Sequence, residues 1–379
     1  MKVIMFHSVG NTANNWYRNW LSAELNQFET FCTFLAKKNY NTILLDEWYF
    51  LQDNPNQIKG NEIVLTFDDG YLDNWVYAYS ILKKHGLKAT VFINPEFVDS
   101  SENVRPTIDD VWSGKKKMNE LQSLGFLNWS EIKTMDDAGV IDAQSHSMSH
   151  NRYFYSNKLV SIYSGQNNFD WIAWNMFPAK KNDYITNPQY DLIPRGTPVF
   201  ENDRALGVRR YFPDEKIIDL SVDLKNNSDY SDEEIMRILN NEIINYPGKF
   251  ETDIEMINRY KYELFESKKI LEEKLNKQIN FLCWPGGGYN DISIELSIKA
   301  GYKASTIASR EKHRIIDNSG QYKRIQRFGM GSFIVIGSNR KLVKSNDYLI
   351  HNFLGRTGNK YYRNINRIRK LKMIIENYL

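Results

Sequence analysis

Glu62-Ile63-Val64-Leu65-Thr66-Phe67-Asp68-Asp69-Gly70 is the stretch whose reading decides the fold. Its apolar, β-branched run predicts a buried strand that ends in two adjacent carboxylates and a glycine. Burying both acids inside the strand would carry a large desolvation cost, so the pair belongs at the strand's C-terminal rim. Parallel α/β folds place their chemistry at that rim. Further along, Ser145-His146-Ser147-Met148-Ser149-His150 offers two histidines four residues apart. One acid and two histidines suit a divalent cation, Zn2+ first, with Co, Mn, Fe or Ni as alternatives. The spare acid is then free to take a proton from water. Successive strand residues point to opposite sides, so the Asp-Asp-Gly must turn sharply, and Gly70 is expected to supply that freedom.

Around this stretch the pattern alternates. Val3–Phe6, Ile63–Phe67, Ala89–Ile93, Val140–Ala143, Gln278–Trp284 and Lys303–Ala308 predict strands. Ala23–Lys38, Asp73–His85, Glu131–Ala138 with Ser130 as N-cap, and Asp291–Ala300 predict helices. Repeated β-α units imply a parallel sheet or barrel. From residue 151 to 247 the pattern dissolves into a stretch rich in Asn, Tyr, Trp and Pro that is too long for a plain loop. It reads as an insertion folded over the site, with Arg209-Arg210-Tyr211-Phe212-Pro213-Asp214 as its most distinctive piece. A long charged helix, roughly Glu251–Asn276, carries the chain back. The expected division is a catalytic domain over 1–340, with 151–276 as insertion plus helix, and a basic helical tail over 341–379.

The composition is that of a globular chain: 379 residues, 42% hydrophobic, 25% charged and 10 prolines. A net charge of +3 gives no global field for nucleic acid, and that class is set aside. The charge is uneven, however. Arg356, Lys360, Arg363, Arg367, Arg369, Lys370 and Lys372 follow one another with no acid among them, interleaved with Ile365, Ile368, Leu371, Ile374 and Ile375. That tail reads as a solvated helix or as a peripheral contact with an anionic membrane surface. Cys32 and Cys283 make no disulfide framework. Met1–Ser8 reads as a core strand rather than a secretory leader, and no run is long enough to cross a bilayer, so the expected location is cytoplasmic. His85 and His313 sit among charged residues and read as solvated.

Together the motifs resemble the polysaccharide (chitooligosaccharide-type) deacetylases, a family of metal-dependent carbohydrate esterases. Thr66-Phe67-Asp68-Asp69-Gly70 is similar to that family's first motif and His146-Ser147-Met148-Ser149-His150 to its second. Trp284-Pro285-Gly286-Gly287-Gly288-Tyr289-Asn290 looks like a variant of the third. Met5-Phe6-His7-Ser8-Val9 resembles the Tyr-His-Ser-Val start of the branch that includes biofilm poly-N-acetylglucosamine deacetylases. The resemblance implies a distorted (β/α) barrel of about seven parallel strands, with a large insertion between the second and third motifs. It implies Asp68 as general base, Asp69, His146 and His150 as ligands of one divalent metal, and the Gly286 N–H as oxyanion donor. It also makes His7 the general acid, with His351 as the alternative. Trp284, Pro285, Tyr289, Arg210 and Arg327 are the expected substrate contacts. The family's third motif often opens with an Arg that braces the base, and Cys283 stands in that place here. Arg209, Arg210 or Arg327 is then expected to reach in.

The implied activity is removal of an N-acetyl or O-acetyl group from a sugar or glycan, with metal-activated water attacking the acyl carbon. A glycosidase is a poor fit, because its two carboxylates face each other across the sugar, whereas Asp68 and Asp69 are neighbours. The alternative is a catalytically impaired glycan-binding protein on the same fold. An acetylated glycan, including a lipid-linked one that the basic tail would suit, is the expected partner.

Overall fold

Strands buried on both faces build the core, with alternate side chains facing the barrel interior and the surrounding helices. The computed structural model describes residues 1–12, 16, 18–165, 169–186, 190–307, 321–337 and 339–378. Strands β1 (Lys2–Phe6), β2 (Glu62–Phe67), β3 (Ala89–Ile93), β4 (Ile141–Ser145), β5 (Phe281–Leu282), β6 (Ala304–Thr306), β7 (Lys323–Ile325) and β8 (Arg327–Gly329) form one parallel sheet. Neighbours run β7-β6-β5-β4-β3-β2-β1-β8, and the short strand Asn41–Thr42 pairs with the start of β2. Only Gln326 separates β7 from β8, so one kinked segment pairs with β6 by its first half and with β1 by its second. The sheet thereby closes on itself as a distorted barrel of seven strand positions. Val3, Val64, Phe92, Cys283 and Ile325 pack together inside it, while Ile4, Phe6, Ile63, Leu65 and Phe67 face the surrounding helices. Leu45, Trp48 and Leu51 of the helix Leu45–Asp53 plug the interior.

The helices follow their apolar spacing. Leu25–Lys37 buries Phe28, Phe31, Cys32 and Leu35 at spacings of three and four. Asn74–Lys84 opens with a π-helical turn, and Gly86 follows it at φ +65°. Trp129–Asp137 starts earlier than the Ser130 cap predicts, because Asn128 accepts from the Glu131 N–H and Glu131 returns a bond to the Asn128 N–H. The long returning helix runs Asp253–Lys261, Tyr262–Glu266 and Ser267–Leu275, with its π turn in the middle.

The region whose pattern dissolves is well built. Strand Arg152–Ile162 pairs antiparallel with Pro198–Arg204, and the helices Glu215–Asn227 and Asp232–Glu242 pack on the hairpin around Leu159, Phe200, Tyr211, Ile235 and Leu239. Register shifts between Phe154 and Ser161 interrupt the alternation, which hides the strand from a period-two reading. At the other end, helix Tyr348–Arg356 sets Phe353 against Phe31, Phe34 and Tyr40, so it belongs to the barrel core and not to a separate tail. The final helix Lys360–Tyr378 lies along it. Among the described residues no helix is long and apolar enough to cross a membrane.

Candidate active site

Parallel register carries four strand ends to one rim: His7 follows β1, Asp68-Asp69 follows β2, His146 follows β4, and Trp284-Pro285-Gly286 follows β5. The turn after β2 is tighter than Gly70 alone would make it. Asp69 itself takes φ +74° beside Gly70 at +68°, and Ser147 (+60°) and His150 (+51°) are also left-handed. Side chains disfavour that conformation, and such strain gathers at functional sites.

Asp69, His146 and His150 offer one ligand atom each, all within 4.8 Å of one another. His146 Nε2 lies 3.1 Å and His150 Nε2 3.3 Å from Asp69 Oδ1. His146 Nδ1 donates to the Cys283 carbonyl at 2.8 Å, so in the neutral ring the Nε2 lone pair faces Asp69. Burial lowers the His146 pKa, but Cys283 and Asp69 raise it well above the ordinary value, and a metal must displace that proton. Asp69 Oδ2 is buried without a hydrogen-bond partner, although Arg18 stands 3.7 Å away. Lone pairs converging on a buried carboxylate fit a cation, and an N2O set suits Zn2+ or its neighbours. Burial alone would raise the Asp69 carboxyl, but His150, His146 and Arg18 hold it well below the usual carboxylate range. Burial lowers the His150 pKa, which favours the neutral ring that a metal needs.

The alternation that turns Val64 and Thr66 inward also turns Asp68 inward, where Arg327 meets it. Arg327 Nη1 donates to Oδ1 at 2.6 Å and Nη2 to Oδ2 at 2.9 Å, a bidentate pair. Cys283 completes the contact, its Sγ 3.5 Å from Asp68 and 2.9 Å from Arg327 Nη2. A second triple, Asp68, His146 and Cys283, also has ligand-type atoms within reach. The Arg327 guanidinium already supplies positive charge there, so it is a poor cation site. Burial pushes the Asp68 carboxyl up, and Arg327 more than offsets it, so Asp68 stays ionised below the ordinary carboxylate range. Arg327, expected among the substrate contacts, is therefore a buried brace. Arg209 pairs instead with Asp253, and Arg210 stacks between rings in the insertion.

His7 Nε2 stands 4.0 Å from Asp68 Oδ2. Burial lowers its pKa, against the opposing pull of Asp68 and Asp69. Sequence reasoning missed the group that holds this loop. Asp73 accepts from Ser8 Oγ (2.5 Å), Val9 N (3.1 Å) and Asn11 Nδ2 (2.7 Å), and Asn74 Nδ2 donates to the His7 carbonyl at 3.0 Å. Burial pushes the Asp73 carboxyl up to about 7 despite these donors. Asp73 and Asn74 lie one turn past the motif, but nothing local links them to His7.

The remaining expectations divide. Pro285 and Gly288 border a small cavity shared with His150 and Arg204. Gly286 is exposed at φ +54°, and its N–H meets no acceptor among the described residues. A Cβ at Gly286 would overlap the Arg204 guanidinium, which the insertion hairpin lays across this turn. Trp284, expected to contact substrate, is 1% exposed and packs against Tyr289 in the core, since its position follows buried β5. Tyr289 is half-buried between Trp284 and Arg324. His351 is not at the rim: it stacks on Tyr362 and faces Arg369 between the last two helices. His313 lies outside the described residues.

A further tie comes from Lys181, fully buried in the insertion. It pairs with Glu96, and its Nζ donates to the Ser149 carbonyl (3.2 Å) and Asn151 Oδ1 (2.7 Å) on either side of His150.

Residues 56–183 match the family model described as polysaccharide deacetylase. YxkH of Bacillus subtilis (strain 168), a protein assigned to the polysaccharide deacetylases, is 31% identical over 93 residues, which is 24% of this chain and 31% of that protein. The chain thus spans about a third of the length of this curated relative. Among solved structures, the BpsB deacetylase domain from Bordetella bronchiseptica has a TM-score of 0.50 at 15% identity, covering 87% of this chain and 96% of that one. A de-N-acetylase from Aggregatibacter actinomycetemcomitans has a TM-score of 0.49 at 16% identity, over 86% and 93% of the two chains. At 15% identity the likeness to the BpsB domain is one of fold.

Proposed function

We propose that this chain, whose residues 56–183 match the family model described as polysaccharide deacetylase, is a metal-dependent hydrolase removing N-acetyl or O-acetyl groups from a glycan. The supporting observation is the convergence of Asp69, His146 and His150 beside an Asp68 that Arg327 keeps ionised. A divalent metal held by that triple, Zn2+ first, would supply Lewis-acid polarisation of water and of the acyl oxygen. Asp68 takes the proton of the attacking water. The free N–H of Gly286 donates to the acyl oxygen as it gains charge. When the C–N bond breaks, the leaving nitrogen takes up a proton and acetate remains. We assign His7, whose Nε2 stands 4.0 Å from Asp68 Oδ2, as the general acid that gives the leaving nitrogen its proton.

Acetate release from a panel of acetylated glycans, with and without chelator, tests this reading. No release from any of them by metal-loaded protein would overturn it. A glycan-binding role without turnover is the second reading, and the bidentate Arg327–Asp68 pair favours turnover over it.

We extend the reading to a membrane-proximal, lipid-linked substrate. Along helix Lys360–Tyr378, Tyr361, Ile368, Leu371 and Ile375 are exposed, Met373 and Ile374 pack on the core, and basic residues flank the open stripe. An apolar stripe edged by cations suits an anionic bilayer surface. Cosedimentation of the full chain with phosphatidylglycerol vesicles, but not phosphatidylcholine ones, is expected. Equal recovery with both would remove this extension.

A further inference from the structure

The insertion hairpin holds a second concave site. Tyr153, Trp171, Met176, Pro198, Arg210 and Phe212 line a cavity of about 790 Å3. Beside it runs a stack of alternating cations and rings. Arg259 Cζ lies 5.0 Å from the Tyr153 ring, Arg210 Cζ 4.4 Å from Tyr153 and 4.4 Å from Phe212, and Lys249 Nζ 5.8 Å from Phe212. The charge of Arg259 is matched, because Glu251 accepts its Nε and Nη2 at 2.7 and 2.6 Å. That of Arg210 is not. Among the described residues its guanidinium has no acceptor and no carboxylate at ion-pair distance, although its backbone N–H donates to Glu251 Oε2 at 3.0 Å. The two rings lie against the guanidinium without taking up its N–H donors, which are the groups that receive carboxylate or phosphate. Lys216 and Lys249 also border the cavity, against Asp214 and Glu215, and the Asp214 carboxylate is engaged by the Lys216 N–H at a helix start.

The hairpin links the cavity to the rim. Tyr153 is three residues from His150, a span of about 11 Å at most for extended chain. The partner strand runs from Pro198 at the cavity to Arg204 on the Gly286–Gly288 turn.

We infer that this cavity is a subsite for an oxyanion group, carboxylate or phosphate, borne by the same glycan whose acetyl group reaches the rim, with Arg210 as the residue that selects it. The inference rests on the glycan-deacetylase reading. It predicts that the substrate is an anionic glycan.

Calorimetry on the full, metal-loaded chain tests it with glucuronate, glucose 6-phosphate, glucose and inorganic phosphate as probes. The two anionic sugars should bind roughly tenfold or more tighter than glucose, as expected for a charge-assisted bidentate contact. Arg210→Met should abolish that preference, and Arg210→Lys should restore only part of it, because an ammonium lacks the fork. In the unmodified chain the preference should shrink at 1 M NaCl, a readout that needs no variant to fold. Equal affinity for glucose and glucuronate, or a preference that survives Arg210→Met, would overturn the inference. So would inorganic phosphate binding as tightly as the sugar phosphate, since that describes an ion site rather than a glycan subsite. Binding is read without turnover, so an inactive rim would leave these outcomes intact.

Discussion

The barrel rim and the insertion hairpin bury charge in opposite ways. At the rim each carboxylate meets cationic or cation-seeking groups from other strands: Asp68 has Arg327, and Asp69 has His146, His150 and Arg18. In the hairpin Arg210 is held by ring faces, with its donors unanswered. Chemistry that handles a proton needs an acid whose ionisation is fixed beforehand. Recognition of an anion needs a cation whose partner is still to come. The two regions sit on one hairpin and one rim, and their roles can be separated by substitution.

The largest expected effect is at Asp68, the proposed base. Asp68→Asn should lower kcat by about two to four orders of magnitude while metal content stays stoichiometric. Unchanged turnover in the purified variant would refute the assignment. Arg327→Met leaves Asp68 buried without its partner, and should cost about 3–5 kcal/mol in a urea titration and reduce kcat as well. Stability equal to the unmodified chain would mean the brace is replaceable.

Asp73 offers a test by pH. Its folded-state value of about 7 exceeds the ordinary 3.8, so the folded chain keeps a proton that the unfolded chain has lost. Stability from this group is therefore full below about pH 4 and falls, by up to about 4 kcal/mol, as pH rises to about 7. Asp73→Asn should flatten that slope in denaturation midpoints taken across the window, and a parallel slope in both proteins would contradict it. Lys181→Met probes the join between the two regions. Leaving Glu96 partly buried and unpaired should cost about 3 kcal/mol, and loosening the loop around His150 should weaken metal affinity by roughly tenfold. If metal affinity is unchanged, the insertion does not support the rim. Smallest of all, Ile368→Glu on the exposed stripe should move the melting free energy by no more than about 0.5 kcal/mol while reducing vesicle binding.

Much of the barrel was legible because its signals are local. A β-branched run, two acids at its end, and histidines four apart declare themselves within ten residues each. Less of the insertion was legible. Its strand carries register shifts, and Arg204 reaches the Pro-Gly-Gly turn only once the hairpin is folded. Trp284, a substrate contact by resemblance to the third motif, lies in the core, because strand order and not residue type decides which aromatic is covered. His351, the alternative acid by resemblance, is turned by helix packing towards Tyr362.

The sequence by itself determined the strand that ends in Asp68 and Asp69, the pair of histidines that answers it, and the family these resemble. Short-range periodicity and spacing are enough for that. Only the tertiary structure decided what braces Asp68. Arg327 faces inward because β8 pairs with β1 in register with Val3, and that pairing exists only once the barrel closes through residues 323–329. Cys283, set beside it on the inner face, leaves the room that the guanidinium fills.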